Sequence, residues 1–106
     1  MSFTRKNVEV NEIQLSYLEW NQEGKEKPPL LLLHGLADLA LVWTNLGEYL
    51  SDRYHIIAPD MRGHGDSTKP ESGYSFTESI NDLEALMEYL NWESAHILGH
   101  SWTGKL

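Results

Sequence analysis

The chain opens with two stretches in which apolar and polar residues alternate. The apolar residues that share a face are Val8 and Val10 in the first stretch and Ile13, Leu15 and Tyr17 in the second. Alternation with period two indicates β-strands, and the polar pair Asn11-Glu12 between the stretches predicts a tight turn. We therefore expect a β-hairpin at this end of the chain.

Three short, mainly apolar runs follow, at residues 30–33, 54–58 and 95–98. Such runs are typical of strands that are covered on both faces of a parallel sheet. Two segments between them carry apolar residues at helical spacing, and Thr77 or Ser79 is the expected N-cap of the second. The helical positions are Trp43, Leu46, Tyr49 and Leu50 in the first segment and Ile80, Leu83, Leu86, Met87 and Leu90 in the second.

This order of elements predicts an α/β fold in which the hairpin is followed by a doubly wound, mostly parallel sheet. In open sheets of this kind, ligands bind at the carboxyl ends of the strands. The acidic residues 78, 82, 84 and 88 are interpreted as the solvent-exposed face of the second helix. We interpret the histidines at 34, 55, 64, 96 and 100 as packed supporting residues rather than as a general base or metal ligands.

The composition of the chain argues against several classes of function. The formal net charge of -8 argues against nucleic acid as a partner, because phosphates are bound by clustered Lys and Arg. The chain has no cysteine, which excludes disulfides and thiolate chemistry. Neither a secretory signal nor an apolar run of membrane-spanning length is evident, so we expect a cytoplasmic protein with no membrane partner.

The loops that follow the three apolar runs carry the candidate chemistry. The third reads Gly99-His100-Ser101-Trp102-Thr103-Gly104, which places a serine on a sharp turn from strand to helix and exposes its hydroxyl above the sheet. The first reads Leu33-His34-Gly35-Leu36-Ala37, and the second is the glycine-rich segment 59–67, in which Asp60 and Arg62 can form stabilising polar contacts.

Together, these loops resemble the nucleophile elbow, the H-G oxyanion loop and the P-D-x-R-G-x-G-x-S segment of serine-nucleophile α/β-hydrolases. The resemblance implies that Ser101 is the nucleophile. It also implies that the backbone N–H groups of Leu36 and Trp102 form the oxyanion hole. Position 103 is Thr where the family's elbow has its second glycine, and Gly104 follows one residue later. Segment 59–67 is then structural support.

The resemblance further implies hydrolysis of an ester-type or carbon–carbon bond in a small substrate with an acyl or carbonyl group, without cofactor or metal. A serine at 101 argues against haloalkane dehalogenase and epoxide hydrolase activity, which the family performs with an aspartate. In this family the triad acid and histidine follow the serine in the chain. We therefore expect residues 1–106 to be the N-terminal part of a single domain that lacks the later strands, cap, acid and histidine. Such a piece is expected to be inactive, with an association-prone sheet edge at 95–99.

Other interpretations stay open at this point. Ser101 could be an ordinary N-cap, and the whole could be a non-catalytic binding module with the same fold. Gly99, Gly104 and Lys105 also match most of a phosphate-binding P-loop, although Leu106 stands where that motif needs Ser or Thr.

Overall fold

The computed structural model describes residues 3–23, 26–35 and 38–100. Its elements, in chain order, are β1 Phe3–Val10, β2 Ile13–Trp20, β3 Pro29–Leu33, a 3₁₀ helix Ala40–Trp43, α1 Thr44–Leu50, β4 His55–Pro59, α2 Phe76–Leu90 and β5 His96–Gly99. The helices in these ranges are too short and too polar to cross a membrane.

The expected hairpin is confirmed. Val10 pairs with Ile13, and the two residues between them, Asn11 and Glu12, have φ of 48° and 68°. Positive φ at both central positions defines a type I′ turn, whose twist matches that of the flanking strands. β1 begins at Phe3, well before the alternation that predicted it.

The five strands form one sheet in the order β1-β2-β4-β3-β5. β3 pairs in parallel with both β4 and β5, whereas β2 joins the hairpin to β4 by antiparallel pairing. The predicted α/β architecture is therefore confirmed, with a mixed sheet whose parallel part is β4-β3-β5. β5 lies at the sheet edge, as expected, and Ile97 on it is 59% exposed.

Helices cover both faces of this sheet, which makes it doubly wound. On one face, Leu83 and Leu86 of α2 pack with Leu31 and Leu33 of β3. On the other face, Ala40 and the helix α1 pack against Leu30 and Leu32 of the same strand. Successive β3 side chains thus enter opposite layers, which explains why the strand sequence is apolar without interruption.

Two details of the helices differ from expectation. The N-cap of α2 is Ser75, two residues before Thr77 and four before Ser79, the two expected N-caps. Ser75 and Glu78 form a reciprocal capping box, in which each side chain accepts from the other residue's backbone N–H. On α1, Tyr49 was grouped with the apolar face but is 69% exposed. Its ring lies beneath the Arg53 guanidinium instead, 5.8 Å from ring centre to cation.

A buried ionic cluster joins three strands at the amino end of the parallel sheet. The Glu19 carboxylate lies 2.5 Å from His55 Nε2 and 2.8 Å from Lys6 Nζ, while Trp92 packs edge-on against the His55 ring. Burial alone raises the pKa of Glu19, but the hydrogen bonds from His55 and Lys6 outweigh it, so the pKa lies below its ordinary value.

We predict that Gly47→Ala destabilises the protein although alanine is the better helix former. A Cβ at position 47 of α1 would lie 2.5 Å from ring carbons of Trp20, so overpacking of about 1–3 kcal/mol exceeds the propensity gain of ~1 kcal/mol. Urea unfolding measures the change. Asn45→Ala, at an exposed site of the same helix, is the control and should not lower stability. A Gly47→Ala protein as stable as wild type would contradict this packing.

The Glu19 cluster predicts a dependence of stability on pH. Because the folded pKa of Glu19 is lowered, its contribution is complete above the unfolded pKa of about 4.3 and is lost as pH falls through the folded pKa. Glu19→Gln should therefore cost about 2 kcal/mol at pH 7 and progressively less below pH ~4. Unfolding free energies across this range test the prediction, with the exposed Glu9→Gln as control. A constant difference between Glu19→Gln and wild type at all pH values would refute it.

Candidate active site

The carboxyl ends of β3, β4 and β5 lie side by side at one end of the sheet. Leu33 pairs with Gly99 in the β3–β5 ladder, and the His100 N–H donates to the Leu33 carbonyl at 3.0 Å. β4 runs parallel on the other side of β3 and ends at Pro59. The β3 loop (34–39), the β4 loop (60–67) and the segment from 100 therefore start side by side.

The three residues predicted to react or to bind the oxyanion, Leu36, Ser101 and Trp102, lie outside the described residues. Thr103, Gly104 and Lys105 lie outside them as well. The chain is described up to Gly35 on one side and up to His100 on the other. Their roles therefore stay predictions, and the described geometry concerns the residues that lead into them.

His34 begins the β3 loop and is completely buried. Its Nε2 accepts the Met61 N–H at 2.9 Å, and its Nδ1 lies 2.7 Å from the Gly35 carbonyl, so Nδ1 carries the proton of a neutral ring. Burial is the main reason why the pKa of His34 is lowered. The ring also packs against that of His64, with centroids 4.9 Å apart. His34 is thus the packed, supporting histidine that was expected, whereas His96 and His100 are exposed.

Asp60, the first residue after β4, is 1% exposed and organises the β4 loop. Its Oδ1 accepts the Ala40 N–H at 2.7 Å. Its Oδ2 accepts the Asp66 N–H and an Arg5 guanidinium N–H, each at 3.0 Å. The carboxylate therefore links the start of the 3₁₀ helix, the far side of its own loop and strand β1. This confirms the expected supporting role of Asp60.

The backbone of the β4 loop is attached to β2 by two serines. The Ser67 hydroxyl donates to the Asp60 carbonyl at 2.6 Å and accepts the Ser16 N–H at 2.8 Å. A glycine is required at position 65, between Asp60 and Ser67. Its φ of 51° is left-handed, and a Cβ there would overlap the Asp60 carboxylate. The glycine predicted from the motif thus allows the loop to fold directly over the acid.

Arg62 fixes the other side of the loop to α2. Its Nε and Nη2 donate to the two carboxylate oxygens of Asp82 at 2.7 and 2.9 Å, and its Nη1 donates to the Gly73 carbonyl at 2.8 Å. These hydrogen bonds to Asp82 raise the pKa of Arg62. The interpretation of position 82 as solvent-exposed was wrong, because Asp82 is completely buried. Its spacing from Ser79, Leu83 and Leu86 on the buried stripe was the available signal.

Within residues 3–23, 26–35 and 38–100, no group of His, Asp and Glu has the arrangement of a metal site. The buried carboxylates of Asp60 and Asp82 are engaged by guanidinium and amide donors. The described part of the site therefore provides a rigid framework of hydrogen bonds.

Comparison with known proteins decides the family. The sequence profile of the alpha/beta hydrolase fold family matches residues 28–106, which contain all three loops. The chain belongs to the α/β-hydrolase fold family.

Two relatives and one solved structure illustrate the breadth of this family. The chain is similar to the fluoroacetate dehalogenase of Burkholderia sp., with 32% identity over 97% of this chain and 34% of that protein. It is 35% identical to the 2-(acetamidomethylene)succinate hydrolase of Mesorhizobium japonicum, over 93% of this chain and 34% of that protein. The crystal structure of the Vigna radiata epoxide hydrolase VrEH1 superposes with a TM-score of 0.87 and 33% identity, over 95% of this chain and 32% of that one. The chain spans about a quarter to a third of the length of the curated relatives it matches.

For this hydrolase-fold chain, we predict that Asp82→Asn lowers stability by about 3 kcal/mol, because it removes the carboxylate that pairs with the buried Arg62 guanidinium. Glu84→Gln, an exposed change of the same kind on the same helix, should shift stability by no more than about 0.5 kcal/mol. Chemical denaturation of the two variants gives both values. Equal effects at positions 82 and 84 would show that the Arg62–Asp82 pair does not hold the loop.

Proposed function

We propose that this chain is the N-terminal part of a longer serine hydrolase that transfers an acyl group to water, with Ser101 as its nucleophile. The observation that supports the proposal is that β4, β3 and β5, the strands that precede the three motif loops, are parallel neighbours and end on the same side of the sheet. The family membership supports a hydrolase, and the serine at 101 supports the acyl-transfer route. The acid and histidine of the triad would lie beyond Leu106.

In the proposed reaction, the Ser101 oxygen attacks the substrate carbonyl and transfers its proton to that histidine. The negative oxygen of the tetrahedral intermediate accepts hydrogen bonds from the Leu36 and Trp102 amides. Collapse releases the leaving group with the proton and leaves an acyl-enzyme. Water, deprotonated by the same histidine, then cleaves the acyl-enzyme and regenerates the serine.

The relatives include proteins named for 2-(acetamidomethylene)succinate, fluoroacetate and epoxides, so family membership does not determine the reaction. Serine at position 101 makes carbonyl substrates the first choice, in either an ester-type or a carbon–carbon bond hydrolase. Epoxide hydrolysis is the second candidate, because proteins named as epoxide hydrolases recur among the similar sequences and solved structures, although Ser101 stands where that chemistry uses an aspartate. A binding module with the same fold is the non-catalytic alternative.

A fluorophosphonate probe tests this proposal on the full-length protein, because it forms a stable bond only with an activated serine. We expect labelling at Ser101 that is abolished in Ser101→Ala and kept in Ser94→Ala, where an exposed serine is removed. Hydrolysis of a p-nitrophenyl ester should fall in parallel, by at least about 10³-fold in kcat for Ser101→Ala. An unlabelled wild-type protein would contradict the proposal and favour the binding module. Styrene oxide hydrolysis that persists in Ser101→Ala would favour the second candidate.

A further inference from the structure

We propose that Asp60 is a positioning residue, which fixes the β3 loop so that its backbone amide can serve the oxyanion. The effect on catalysis rests on the proposed function, whereas the hydrogen bonds that hold the loop are independent of it. The hydrogen-bond partners described for Asp60 are protein groups, so Asp60 would affect the reaction by positioning the loop.

Both ends of the β3 loop are held by two consecutive residues of the β4 loop. At the beginning of the β3 loop, His34 Nε2 accepts the Met61 N–H at 2.9 Å. Just beyond its end, the Ala40 N–H donates to Asp60 Oδ1 at 2.7 Å. Since Asp60 and Met61 are adjacent, a single short piece of backbone sets the distance between the two ends. The candidate oxyanion amide at 36 lies in the chain between these two anchors.

The anchor itself cannot move easily. The Asp60 backbone is bonded on both sides, because its N–H donates to the Ser16 carbonyl at 2.8 Å and its carbonyl accepts from Ser67. Its second carboxylate oxygen is held by Arg5 and by the Asp66 N–H. Only Oδ1 is directed at the β3 loop. A backbone amide in a loop with fixed ends would need little reorganisation when negative charge develops, which is the condition for an effective oxyanion site.

The Asp60→Asn variant makes the two acceptor positions of this side chain chemically different. The amide has one oxygen and one NH₂ group, so it can accept on one side only. The charged Arg5 and the Asp66 N–H compete for that oxygen and outweigh a single neutral donor. The NH₂ group then faces the Ala40 N–H, donor against donor, and releases the end of the β3 loop.

Two further variants separate positioning from general stability. Glu19→Gln lowers stability at the opposite end of the strands and leaves Asp60 and its hydrogen-bond partners intact. Ala40→Pro removes the N–H donor while leaving Asp60 intact. Proline is accepted at the first position of a helix, and Leu39 before it has the extended backbone that a residue preceding proline requires, with φ of -156° and ψ of 168°.

The experiment measures kcat and KM for a p-nitrophenyl ester, fluorophosphonate labelling of Ser101, and NMR amide exchange at Ala40, all on the full-length protein. We expect Asp60→Asn and Ala40→Pro to lower kcat at least about tenfold with KM within about twofold, while Ser101 stays reactive towards the probe. Ala40 exchange should rise at least about tenfold in Asp60→Asn. Glu19→Gln should leave kcat within about twofold of wild type, although it lowers stability.

Equal kcat losses in Asp60→Asn and Glu19→Gln would overturn the inference, because both would then report stability alone. Unchanged Ala40 exchange in Asp60→Asn would overturn it as well. If Ser101→Ala keeps full turnover, the proposed function fails. Amide exchange at Ala40 then still decides whether Asp60 tethers the loop.

Discussion

The interaction on which the described site depends is the burial of the Asp60 carboxylate among donors from separate parts of the chain. An ionised carboxylate away from water is stable only when its oxygens are saturated by hydrogen bonds or opposite charge. Here the saturation comes from Arg5 of β1, from the Ala40 amide at the start of the 3₁₀ helix and from the Asp66 amide. The cost of burying the charge thus forces the hairpin, the β3 loop and the β4 loop into one arrangement.

The parallel strands of the sheet bring the starts of the three loops to the same end of the sheet. Because β3 is parallel to both β4 and β5, the loops that follow these three strands leave from the same edge. The Arg62–Asp82 pair then attaches the β4 loop to α2, on one face of the sheet. The Glu19–His55–Lys6 cluster fixes the opposite end of the strands. Ionic contacts therefore occupy both ends of a sheet whose middle is apolar on both faces.

Much of this fold could be predicted from periodicity alone, because local geometry dictates it. The Asn11-Glu12 turn, the uninterrupted β3 leucines and the helical spacing of Leu83 and Leu86 each depend on near neighbours in the chain. Asp60 and Arg62 could be assigned as supporting residues from their motif. Their partners could not be identified, because Arg5 and Asp82 are 55 and 20 residues away in sequence and only the folded topology brings them near. The burial of Asp82 was missed because an acidic residue is placed on a solvent face until its partner is known, although its spacing from Ser79 and Leu86 indicated the buried stripe.

The most direct test of the account is a crystal structure of the full-length protein with a boronic acid bound, which mimics the tetrahedral intermediate. The account predicts a bond from boron to the Ser101 Oγ, with one boronate oxygen 2.7–3.1 Å from the amide nitrogens of both Leu36 and Trp102, a range of about hydrogen-bond length. A boronate bound away from Ser101, or one with no oxygen within about 3.5 Å of both amide nitrogens, would contradict it.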